Sequence, residues 1–184
     1  MPLSPNAISL TGFLQSLRQS RSYSPEPIDD ETLARILEVA RWTGSAGNKQ
    51  PWRFVVVRDQ ETRTNVARLK SDTGWLAAAP IVIGIVTEGK TWESARFDAG
   101  RVIERIMLAA HAHGLAAAVV GFGGPDSEPS MEARALLNVP EHLWLNHAVA
   151  IGRPGPADQE SGSKRGGRKP LGEIVINERF PDDA

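Results

Sequence analysis

GSAGNKQPWRF, residues 44–54, joins a helical pattern to a β-rich run, and its composition exceeds what a connector needs. Upstream, Asp29 is placed to cap a helix, with Asp30 and Glu31 at its positive end. Leu33, Ile36, Leu37 and Ala40 then recur at helical spacing up to about Thr43, where Gly44 suits a C-terminal cap. Downstream, residues 53–58 read as a strand, with FVVV at its centre. One glycine and Pro51 account for the helix stop and the strand start. Ser45, Asn48 and Gln50 are left over, three uncharged hydrogen-bonding side chains in six positions.

Outward from this loop, residues 9–19 and roughly 60–71 read as helices, and IVIGIV (81–86) as a strand covered on both faces. The longest helix is expected from about Glu93 to His113. Its stripe of Trp92, Ala95, Ala99, Val102, Ile103, Ile106, Met107 and Ala110 is wide enough for burial on more than one side. Gly114 ends it. LAAAVVGF (115–122) follows as a strand, then a helix around 129–137 and a strand at HAVAIGRP (147–154). GPADQESGSKRGGRK (155–169) has loop composition, and Leu171 to Phe180 forms a tail with apolar spots. Helices and strands alternate irregularly, which predicts an α+β sheet sandwich in one domain, 1–184, rather than a doubly wound sheet.

Composition narrows the function. The chain has 184 residues, 41% hydrophobic and 23% charged, with a formal net charge of −1, so no global field draws it to nucleic acid or an anionic membrane. The absence of cysteine excludes disulfides, thiolate metal sites and cysteine nucleophiles, and a cytoplasmic protein is the simplest expectation. The first ten residues lack the pattern of a secretory signal, and the apolar run WLAAAPIVIGIV, broken by Pro80, is too short to span a bilayer. No metal site is expected: His111 and His113 are two apart on a helix, and His142 and His147 flank a predicted strand without a carboxylate pair. GFGG (121–124) runs into Pro125 and is no dinucleotide fingerprint.

Three stretches stand out together: RQSRSY (18–23), the loop at 44–50, and SKRGGRKP (163–170). In this order they resemble the nitroreductase family of flavin enzymes over most of the chain, from about Leu17 to Phe180. PEPIDDETLARILEVARWTGSAGNKQPWRFVVVRD (25–59) is similar to the family's N-terminal signature. DAGRVIERIMLAAHAHGLAAAVVGF (98–122) is similar to its central helix, strand and flavin-edge loop, and RKPLGEIV (168–175) to its C-terminal phosphate-binding segment.

The resemblance implies a mostly antiparallel sheet flanked by helices, in an intertwined homodimer with FMN in two clefts at the interface. It implies that Arg18 and Arg168 hold the FMN phosphate, with Gln19 beside them and Arg21 nearer the ring. Gly44, Ser45, Ala46, Asn48 and Gln50 would reach the flavin of the other subunit. The backbone of Val120 and Gly121 would donate at the N5/O4 edge. Leu17 stands where many members carry a further arginine, Gly44 where proline is common, and Arg105 where asparagine is common. The expected activity is hydride transfer from NAD(P)H through FMN to a nitroaromatic, quinone or similar small acceptor by a ping-pong mechanism. No side chain is expected to act as acid, base or nucleophile. The alternatives are a flavin-binding protein that stores or senses FMN without turnover, and a specialised flavin reaction such as reductive dehalogenation.

Overall fold

Asp29 caps the first long helix as its sequence predicts: its carboxylate accepts the Thr32 N–H at 2.7 Å and the Thr32 hydroxyl at 2.9 Å. These bonds hold its pKa below the ordinary carboxylate value. The computed structural model describes residues 9–89, 91–156 and 167–180. In chain order it contains α1 (Leu10–Ser16), α2 (Asp30–Arg41), β1 (Trp52–Val57), α3 (Gln60–Arg68), β2 (Ile81–Thr87) and α4 (Trp92–Ala112). Then come β3 (Ala116–Gly121), α5 (Glu128–Leu136), β4 (Trp144–Gly152) and α6 (Leu171–Ile174), with short 3₁₀ turns at Ala46–Asn48 and Gly74–Ala78.

The four strands form one sheet in the order β1-β2-β4-β3, and every neighbouring pair is antiparallel. This is the α+β sandwich expected. On one face Ile81, Ile83, Ile85, Val149, Ile151 and Ala117 meet α2 and α4 through Ile36, Ala40, Val102, Ile106 and Ala110. On the other, Val82, Val86, Ala148, Ala150 and Val120 meet α3, α5 and the second 3₁₀ turn through Val66, Leu76 and Ala133. β2 is buried along its whole length, consistent with its continuous apolar run. Burial of each such Ile or Val side chain contributes about 1.5–3 kcal/mol.

Several boundaries differ from expectation. α1 stops at Ser16 rather than residue 19, because Leu17 turns extended (φ −55°, ψ 127°) and feeds the chain along β3. α2 ends at Arg41 with Trp42 as its cap, and Gly44 is not among the glycines with positive φ. Gly114 is, at φ 69°, and follows α4 as expected. α3 ends at Arg68, short of residue 71. β4 begins at Trp144, so His147 lies inside the strand rather than flanking it. The register slips between Ile85 and Val86, whose β4 partners are His147 and Leu145, leaving Asn146 as an extra residue. Such a bulge bends and re-aims the strand locally.

Candidate functional site

The segment after α1 lies along the outer edge of β3. The Ser20 N–H donates to Ala117 O at 2.9 Å, and the Val119 N–H donates to Gln19 Oε1 at 3.2 Å. Further on, Tyr23 is buried, donates to Ser20 O at 2.8 Å and bridges to Pro154. Gly152 permits this approach, since a Cβ there would sit 2.8 Å from Tyr23 Cδ1. Thus the segment that carries Arg18, Gln19 and Arg21 runs along the outer edge of β3, with contacts at Ala117 and Val119.

Strand alternation then decides which backbone groups are open. Ala117 O and the Val119 N–H point outward, whereas the Phe122 N–H points inward and donates to the bulged Asn146 O at 2.7 Å. By alternation the Val120 N–H also faces β4, opposite Ala148. Gly121 is therefore the outward-facing member of the expected pair. Its carbonyl accepts from Lys70 Nζ at 3.1 Å. On the α4 side of the sheet its neighbour is His147, whose ring would lie 3.5 Å from a Cβ at 121. Burial, and then the positive charge of Arg96, pull the pKa of His147 below its usual value.

The arginines are engaged locally. Arg18 donates to Gln15 O at 2.6 Å and Leu17 O at 2.8 Å, closing the end of α1. The Arg21 guanidinium lies 5.2 Å from the centre of the Trp75 ring. Arg168 is exposed in the segment 167–180, whose hydrogen bonds run within the segment. Among the described residues no hydrogen bond or ion pair joins it to the segment at 18–23. Ser163 to Gly166 of the same motif lie outside the described residues.

The loop 44–50 has an unusual backbone. Gly47, Asn48 and Gln50 have φ of 58°, 53° and 49°. Ser45 Oγ accepts the Gln50 N–H at 2.8 Å, and Gln50 Nε2 donates to both Asn48 O and Oδ1 at 3.3 Å. Ala46 and its neighbours up to Gln50 are exposed, and Gly44 abuts the Arg101 guanidinium of α4, which would lie 3.0 Å from a Cβ there. This loop precedes β1, at one edge of the sheet, while Arg18 to Gly121 lie at the β3 edge. Three strand spacings of about 4.8 Å separate the edges by roughly 14 Å. One chain does not bring the two halves of the expected site together.

Two shallow grooves of about 550 and 530 Å³ adjoin the loop 44–50, one along α4 beside Thr43, Arg96 and Arg101, the other between α2 and β1 beside Gln50. Among the described residues no group of three or more His, Cys, Asp or Glu could hold a metal ion, and no helix is long and apolar enough to cross a membrane. The sequence gives no sign of Lys70 as a site residue, since it follows α3 as one of several surface cations and meets Gly121 only through the fold.

The comparisons with known proteins agree with this architecture. The model of the nitroreductase family matches residues 15–82 and 69–153. A protein of Archaeoglobus fulgidus named an NADH dehydrogenase/NAD(P)H nitroreductase is 32% identical over 146 residues, spanning 77% of this chain and 83% of its own. The 5,6-dimethylbenzimidazole synthase of Rhodospirillum rubrum is 30% identical, spanning 79% of this chain and 82% of its own. In fold, an FMN-dependent nitroreductase of Clostridium difficile superposes with a TM-score of 0.77 at 23% identity, covering 93% of this chain and 100% of that one. The chain belongs to the nitroreductase family. The family match ends at residue 153, so Arg168 lies beyond it.

Proposed function

We propose that the protein is an FMN-dependent NAD(P)H oxidoreductase of nitroreductase type, a cytoplasmic homodimer whose two clefts are each completed by the second subunit. The observation that carries this reading is the division of the site: the donors along β3 and the loop 44–50 occupy opposite edges of one sheet. A second copy would supply the missing half to each. The residues present fit the cofactor, because the outer edge of β3 presents the Gly121 N–H, the Gln19 amide and Lys70, all donors suited to the acceptor-rich edge of a flavin.

When bound, FMN supplies the hydride chemistry between NAD(P)H and a nitroaromatic, quinone or similar small acceptor. The chain's own part is to hold and orient. Arg18 and Arg168 are assigned to the phosphate, where a charge-assisted hydrogen bond is worth about 1.5–3 kcal/mol. Gln19 and Gly121 fix one ring edge, with Arg21 near it on Trp75. Gly44, Ser45, Ala46, Asn48 and Gln50 line the opposite side from the other subunit, where small residues allow close backbone approach. Donor and acceptor use the same open cleft in turn, which gives ping-pong kinetics.

Steady-state oxidation of NADH or NADPH by the purified protein with a nitroaromatic or quinone tests the reading. Parallel double-reciprocal lines are expected. Bound flavin with no turnover for either nucleotide would favour a storage or sensing protein instead.

A further inference from the structure

Trp75 stands on the second 3₁₀ turn, Gly74–Ala78, and its ring is fixed from several sides. The indole Nε1–H donates to Asp72 O at 3.1 Å. Beside it Leu76 is fully buried, and its N–H donates to Thr73 O at 2.9 Å. The buried Thr73 hydroxyl lies 2.9 Å from Ala67 O and 2.8 Å from Lys70 O, which ties the turn to the end of α3. On the far side of the turn the buried Arg63 guanidinium donates to Ala77 O at 2.9 Å and to Ala79 O. The Trp75 ring is tilted against Tyr23, with centroids 6.5 Å apart, and lies 5.2 Å from the Arg21 guanidinium.

Arg21 has a fixed backbone and an exposed side chain. Ser20 before it is bonded to Ala117 O and Tyr23 after it is buried, whereas none of the ion pairs among the described residues includes Arg21. A long exposed side chain loses rotamer freedom when it grips a ligand, which weakens binding unless the side chain is held beforehand. A guanidinium over an indole face is held in that way, by an attraction that grows as water is excluded.

We propose that Trp75 is a positioning residue for the flavin site: its ring pre-sets the Arg21 guanidinium, so that the contribution of Arg21 to FMN binding depends on an aromatic side chain at 75. The inference rests on the FMN reading above, which puts Arg21 near the ring edge, and adds what aims that arginine. Trp75 also has a plainer reading, as apolar cover packed on the cluster that contains Tyr23 and Leu76. Cover alone would act on FMN in the same way whether or not Arg21 is present, so the two readings differ in their coupling.

The test is a titration of the apo-protein with FMN for wild type, Trp75→Met, Trp75→Phe, Arg21→Gln and the double variant of Trp75→Met with Arg21→Gln. Trp75→Met keeps an apolar side chain without a ring, and should raise the FMN dissociation constant about fivefold, the size of an ordinary cation–π contact. Combined with Arg21→Gln, the same change should add less than about twofold. Trp75→Phe keeps a ring and should stay within about twofold of wild type. An equal loss from Trp75→Met with and without Arg21→Gln overturns the inference, as does unchanged FMN affinity in Trp75→Met or a loss in Trp75→Phe as large as in Trp75→Met. Should Trp75→Met fail to fold, Trp75→Leu takes its place in the cycle under the same criteria. A wild-type protein that takes up no FMN contradicts the underlying reading instead.

Discussion

Gly47, Asn48 and Gln50 explain why the loop at 44–50 is built from small and amide-bearing residues. Three of four consecutive positions have left-handed φ, near 50–60°. Glycine accepts that conformation freely and asparagine better than most, whereas other residues are strained there by about 1–2 kcal/mol. Gly47→Val therefore disturbs the loop whatever the loop binds. Gly47→Asn is the sharper probe, because among the described residues a Cβ at 47 meets only Lys49 Cε, at 4.0 Å. The expected outcome is an unchanged melting temperature with reduced FMN occupancy. Full occupancy in Gly47→Asn would make the loop a connector only.

His147 supplies a pH signature. Burial, and then the charge of Arg96, lower its folded pKa below the ordinary histidine value of 6.5, so the unfolded chain binds more protons than the native one in the window just beneath 6.5. Its stabilising effect is complete above that value and declines as pH falls through the window. Thermal melts from pH 7.5 to 5 should show the melting temperature dropping on the acid side, with a shallower drop in His147→Gln. Identical slopes in the two proteins would contradict the assignment.

Among the elements, those with long periodic patterns were legible in the sequence. α4 was expected over 93–113 and spans Trp92–Ala112, because its apolar stripe and Gly114 mark both ends. β4 is expected over 147–154 and spans Trp144–Gly152; its start is missed because the bulge at Asn146 breaks the alternation on which strand reading depends and puts a polar residue in a buried strand. The arginine stretch at 18–23 and the edge of β3 were recognisable through the family pattern. Lys70 was not, because its partner is 51 residues away and no local spacing announces the contact. The Val120 N–H was expected to face the cofactor, and only strand alternation turns it toward β4. α2 is held chiefly by Ile36, which is fully buried between the helix pair and the sheet. Ile36→Ala should cost about 2–5 kcal/mol in chemical denaturation. A loss well under that range would mean that α2 is secured by its surface ion pairs, which such pairs rarely achieve.

For the whole molecule, the single chain leaves large apolar side chains uncovered. Trp42, Phe97, Leu171 and Phe180 are 69%, 67%, 73% and 71% exposed, on α2, α4 and the C-terminal segment. Together with the divided site, this predicts an obligate homodimer, of the kind that buries on the order of 2,000–5,000 Å². Sedimentation at micromolar concentration should find flavin absorbance moving only with a dimer. A folded, flavin-bearing monomer would contradict the shared cleft.

The central claim, that this chain moves electrons from a nicotinamide through bound FMN, meets its most direct test in an anaerobic titration. NADH or NADPH is added to the purified protein while its flavin absorbance is followed, and a quinone is then supplied. The yellow band is expected to bleach with one equivalent of nucleotide per flavin and to return when the quinone is added. A protein that binds no flavin, or whose flavin neither nucleotide bleaches, would contradict it.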